Sequence, residues 1–112
     1  MKLPKEEYIH VEENGRKVTY CTMRQKVLHT IGLNSGHTGR RLYTRQGKKY
    51  YKPYRNYFYG NDKDLDKLVE AGYMECSTEI AHGEKSKTYW FNRDGLDWLG
   101  TQIGIHIYDE EN

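Results

Sequence analysis

At 112 residues, with 36% hydrophobic content and eleven tyrosines and two tryptophans supplying large rings, the chain suits one domain, 1–112, with a core that needs no staples. Two cysteines, Cys21 and Cys76, exclude a disulfide framework, and neither a signal-type apolar start nor an apolar run near the ~20 residues of a membrane span occurs, so a soluble, cytoplasmic chain is expected. The net charge of +2 conceals segregation: residues 31–60 carry seven basic side chains and no acid, while 61–112 carry twelve acids against five bases, which suggests one positive and one negative patch.

The first element in chain order is a hairpin over Tyr8–Tyr20, within an N-terminal unit 1–21. Asn14-Gly15 supplies the two positive-φ residues of a type I′ turn. Ile9 and Val11 share one face of its first strand, and Val18 and Tyr20 one face of its second. A core, 22–100, follows. Thr22 and Gln25 have the spacing of a capping box. The helix predicted behind it runs Met23–Ile31, with Met23, Val27, Leu28 and Ile31 as its apolar stripe and Gly32 as its stop. Residues 34–39 (NSGHTG) read as a polar surface connector. A phosphate-loop reading fails, because no Lys-Ser or Lys-Thr pair follows the last glycine.

Residues 41–60 interleave cations with rings. Gln46-Gly47 reads as the turn of a second hairpin, and Pro53 as the start of a short helix, Tyr54–Tyr59. Tyr54, Tyr57 and Phe58 would share one face of that helix and belong to the core. The cations Arg40, Arg41, Arg45, Lys48, Lys49, Lys52 and Arg55 point instead to an anionic partner. Lys and Arg release counterions from phosphates, and neighbouring rings stack on bases.

The stretch 61–100 carries the clearest pattern. Asn61 or Asp62 caps a helix whose Leu65, Leu68 and Val69 lie on one face, and Gly72 ends it. Met74–Ile80 and Lys87–Phe91 read as the strands of a hairpin turning at 81–84. Asn92 caps a last helix, Arg93–Leu99, with Leu96 and Leu99 on one side.

The run Leu-x-x-Leu-Val-x-x-Gly-Tyr-Met, a hairpin, then Tyr-Trp-Phe-Asn-x-x-Gly-Leu-x-x-Leu resembles the second half of winged-helix domains of the MarR or PadR type. The likeness covers 62–99, about a third of the chain. It implies an α+β, winged helix-turn-helix-like fold: three to four short helices, a C-terminal hairpin wing and, here, an extra N-terminal hairpin. It also implies a recognition helix at 62–70 and phosphate contacts from the wing through Lys85 and Lys87. The motif at 54–72 is similar, besides, to small proteins encoded in phages and prophages. The chain departs from the family at one place: its recognition helix would begin Asp-Lys-Asp-Leu-Asp, and phosphates would repel Asp62, Asp64 and Asp66.

No catalytic constellation emerges. His10, His29, His37, His82 and His106 stand singly, Cys76 to His82 fits no zinc spacing, and no nucleophile elbow or HExxH is present, so neither an enzyme nor a cofactor is expected. The tail, 101–112, offers Ile103, Ile105 and Ile107 either as an added strand or as more of the last helix. If Trp98, Ile105 and Ile107 are exposed, they offer a homodimer surface. Its acidic end, Asp109-Glu110-Glu111, reads as disordered. Two functions follow: a small regulatory protein binding double-stranded DNA or another nucleic acid, or a phage-type accessory module that docks on a protein through the same frame.

Overall fold

The computed structural model describes residues 1–34, 38–81 and 83–107, so the expectations on His37, His82 and the acidic end lie outside the described residues. The fold is α+β, with three α-helices among the described residues. Strands β1 (Tyr8–Glu13) and β2 (Arg16–Cys21) form the predicted hairpin, and Asn14 (φ 50°) and Gly15 (φ 76°) turn it. Both central residues carry positive φ, the conformation whose twist matches that of the strands.

Helix α1 (Met23–Thr30) follows, with Val27 and the next residue, Ile31, fully buried. The capping box does not form. The Thr22 hydroxyl donates 2.5 Å to the Glu6 carbonyl and makes no cap bond, because it ties the helix start to the segment leading into β1. After α1, a single 3-10 turn, Gly39–Arg41, leads into β3 (Leu42–Arg45) and β4 (Lys48–Tyr51). Gln46 (φ 51°) and Gly47 (φ 76°) make the turn of this second hairpin.

The predicted helix Tyr54–Tyr59 is absent. Its place is taken by an irregular segment that ends in β5 (Phe58–Tyr59). Asn56 explains why. Its side-chain amide donates to the Phe91 carbonyl and accepts from the Phe91 N–H, both at 2.9 Å, so it continues the sheet as a strand residue would. Tyr57 N–H adds a bond to the Thr30 carbonyl. These tertiary bonds outweigh a local helical preference of a few tenths of a kcal/mol per residue.

Helix α2 (Lys63–Glu70) is capped by Asp62, whose carboxylate accepts from the N–H groups of Asp64 and Leu65. Leu65 and Leu68 are fully buried. Strands β6 (Met74–Ala81) and β7 (Glu84–Phe91) pair antiparallel from Met74↔Phe91 outward, and β5 joins on the far side of β7, giving the order β5-β7-β6. Asn92 caps α3 (Arg93–Ile103), which runs a turn beyond Leu99 to Gly104 at φ 71°. The tail then forms β8 (His106–Ile107), parallel to β4, in a sheet ordered β3-β4-β8. Both tail readings thus hold in part: more helix, then a short added strand.

One core gathers these layers, from Leu3 through Val27, Ile31, Tyr51, Leu65, Leu68, Met74, Tyr89 and Phe91 to Leu96, Leu99 and Ile107. Tyr51 is fully buried, and its hydroxyl donates 2.7 Å to the Ile31 carbonyl, locking β4 onto α1. The conditional dimer surface is not exposed. Ile107 is buried, Ile105 is partly buried, and Trp98 stacks on Tyr73 at 4.7 Å and donates to the Met1 carbonyl. Among the described residues, no helix is long and apolar enough to cross a membrane.

Candidate nucleic-acid interface

The sheet β3-β4-β8 has two unlike faces. Strand alternation puts Tyr51 and Ile107 on one face, where they enter the core. On the other face stand Tyr43, Arg45, Lys48, Tyr50 and His106. Tyr43 lies directly opposite Tyr50, and Tyr50 directly opposite His106, so three rings form a row across three strands. Tyr43 and Tyr50 stack with centroids 5.5 Å apart and planes 15° apart. His106 meets Tyr50 edge-on at 5.6 Å.

Beside the rings, Arg45 pairs directly with Lys48 at the hairpin tip. Like charges in that position destabilise a hairpin unless an anion lies between them. Lys49 and Lys52 add exposed charge on the same strand and just beyond it, and Arg40 stands exposed at the base. Among the described residues, none of Arg40, Arg45, Lys48, Lys49 and Lys52 forms an ion pair. A shallow cleft of about 500 Å³ runs beside the tip, between Lys48, Lys49 and the turn at Ile103–His106.

The other cations named from the sequence sit differently. Arg41 donates to the Lys52 and Pro53 carbonyls, each at 3.2 Å, and so fastens the base of the β3–β4 hairpin. Arg55 donates through Nε and Nη2 to the His29 carbonyl and lies 5.9 Å from the ring centres of both Tyr54 and Tyr57. It places a cation at the C-terminal end of α1, where the helix dipole favours one. Tyr54 and Tyr57 are exposed rather than core, because the helix that would have turned them inward does not form. Lys85 is exposed on β7, in a different sheet from the basic hairpin.

Lys87 is engaged within the fold. Its Nζ lies 3.0 Å from Asp66 Oδ1, and the Tyr89 hydroxyl donates 2.5 Å to the same oxygen. The Tyr89 hydroxyl, then the Lys87 ammonium, holds the Asp66 carboxyl below its ordinary pKa. The bond to Asp66 raises Lys87, while burial and then its own bond to Asp66 push Tyr89 up. Asp62 and Asp64 are held as well, by Lys26 Nζ at 2.9 and 3.0 Å. Burial opposes the charge on Lys26, yet its bonds to the two carboxylates outweigh that and raise its pKa. The three aspartates that open α2 therefore belong to a clasp joining α1, α2 and β7.

The structure thus brings Arg45, Lys48 and Lys49 together on one hairpin, with Arg40, Arg41 and Lys52 at its base. Arg55, Lys85 and Lys87 are not part of that cluster. Sequence reasoning missed His106. The alternation Ile103, Ile105, Ile107 held the signal, since a strand that buries Ile107 turns His106 to the opposite face. Among the described residues, no three His, Cys, Asp or Glu side chains converge to hold a metal. Comparisons with family models, curated proteins and solved structures find no match for this chain.

Proposed function

We propose that the protein binds nucleic acid through the β3–β4 hairpin. The observation that carries this reading is the pairing of Arg45 with Lys48 on the face that bears the Tyr43–Tyr50–His106 row, with no ion pair to Arg45, Lys48, Lys49 or Lys52 among the described residues. An isolated basic rim would suit any anion. A basic rim around stacked rings suits a ligand with both phosphates and flat bases. A winged-helix-like frame supports the same reading: α1, β5, α2, the β6–β7 hairpin and α3, with the strand before α2 pairing to the second wing strand. Its departure from that frame is definite. Only one helix lies between β5 and β6, where a helix-turn-helix needs two.

Fluorescence anisotropy across a salt series tests the proposal. Replacing Arg45, Lys48, Lys49 and Lys52 by Ala should weaken binding and lower the log–log salt slope by roughly 0.7 to 0.9 per phosphate contact removed. No measurable binding of single-stranded or duplex oligonucleotides at low salt would refute it. One feature favours a protein partner as well. The β1–β2 hairpin stands as a separate two-stranded sheet with Ile9 50% and Tyr20 47% exposed on one face, and such hairpins are marginal in water alone. Cross-linking of the full chain in nuclease-treated lysate addresses that second reading.

A further inference from the structure

Resting on the nucleic-acid reading above, we infer that the ligand is an unpaired strand, with a base stacked on the Tyr43–Tyr50–His106 row and its phosphates tracked by Arg45, Lys48 and Lys52. The first ground is the row itself. In a duplex the base faces cover one another, and only the edges are offered in the grooves. A row of rings therefore finds its complement in bases released from pairing. Tyr43 stands at the outer end of the row, on the edge strand β3, and is 38% exposed. Among the described residues no strand pairs with the far side of β3, so a base can extend the stack there.

The second ground is the placement of charge. Lys48 lies two residues before Tyr50 on β4 and Lys52 two residues after it, just past the strand's end, on opposite sides of the ring row. Two residues of strand span about 7 Å, so the two cations flank the rings about 13 Å apart and face the backbone on either side of a stacked nucleotide. The third ground is the state of α2, the helix that a duplex reader would insert. It opens with Asp62, Asp64 and Asp66, fixed in place by Lys26 and Lys87. Its first turn is tied to α1 and β7 by these pairs and holds no Arg, Asn or Gln to read a purine. Unpaired DNA and unpaired RNA share the base faces and phosphates recognised here, and the 2′-hydroxyl separates them.

The test uses the full chain, with fluorescein-labelled DNA and RNA 12-mers of one sequence, the matching DNA duplex, and poly-glutamate as a polyanion without bases. A 2-aminopurine placed mid-strand reports stacking directly. Tight binding of either single strand is expected, with duplex and poly-glutamate at least about 10-fold weaker and the 2-aminopurine fluorescence quenched. Tyr43→Leu should lose about 10-fold in single-strand affinity with an unchanged salt slope, the loss expected for one stacked base. Tyr43→Phe keeps the ring and should bind like the parent, and circular dichroism melts establish that both variants fold. Lys48→Ala should lower the slope instead. Equal or tighter duplex binding, or indifference to Tyr43→Leu in a folded variant, would overturn the single-strand inference and leave nucleic-acid binding standing. Poly-glutamate binding as tight as the oligonucleotides would also overturn it. Failure of every nucleic acid to bind would overturn both.

Discussion

Gly95 offers the sharpest test of the packing that sets α3 against the β6–β7 sheet. A Cβ at this position would lie 1.8 Å from the Tyr73 carbonyl oxygen, 1.6 Å short of the 3.4 Å of ordinary contact. The atom in the way is main chain, so rotamer changes cannot relieve it. The helix start must lift away from Tyr73, whose carbonyl accepts from the Asn92 N–H and whose ring stacks on Trp98. Overpacking of this kind costs about 3 kcal/mol at the upper end of its usual range. Alanine's better helix propensity returns about 1 kcal/mol. Gly95→Ala should therefore destabilise the protein by about 2 kcal/mol, and its Tm should fall by about 8 °C for a chain of this length. Thermal melts followed by circular dichroism measure it, and near-ultraviolet signals from Trp98 report the disturbed stack. An unchanged or raised Tm would refute the claim that α3 sits directly on the Tyr73 main chain.

Other changes probe other joints. Tyr51→Phe leaves the Ile31 carbonyl without its 2.7 Å donor in the core and should cost about 1–2 kcal/mol in urea titrations. Lys26→Met strips the shared partner from Asp62 and Asp64, and a loss of about 1–2 kcal/mol is expected, shrinking in a Lys26→Met/Asp64→Asn double variant. Asp66 titrates below its ordinary value in the fold, so its share of stability is present above the usual carboxylate range and is lost as pH falls through it. Asp66→Asn should flatten the pH dependence of the urea midpoint through and below the usual carboxylate range. Lys87 is raised instead, so its contribution is present below its ordinary pKa and fades as pH rises past it.

Much of the frame is legible from local chemistry. Asn14-Gly15 and Gln46-Gly47 turn hairpins because both residues adopt positive φ. Asp62 and Asn92 cap the helices they precede, and Leu65 and Leu68 bury as their spacing demands. The failures share one cause, a bond made far along the chain. The ring spacing in Tyr54, Tyr57 and Phe58 imitates a helix, but Asn56 is held by Phe91, thirty-five residues away. The Thr22–Gln25 capping box yields to the Glu6 carbonyl. Charge segregation along the chain also misleads about the acidic half. Asp62, Asp64 and Asp66 look like a repulsive face in sequence, yet each meets a lysine in the fold. That pairing removes Lys87 from the candidate interface, and it was invisible until α2 was set against β7. His106 enters through the parallel pairing of β8 with β4, a contact between positions more than fifty residues apart.

A backbone amide NMR titration of the full chain with a short unlabelled single-stranded oligonucleotide tests the central claim most directly. Shifts concentrated at Tyr43, Arg45, Lys48, Lys49, Tyr50 and His106 are predicted, with α2 and the β1–β2 hairpin unmoved. Shifts centred on Lys63–Glu70 or on Tyr8–Cys21, with the β3–β4 hairpin silent, would contradict it.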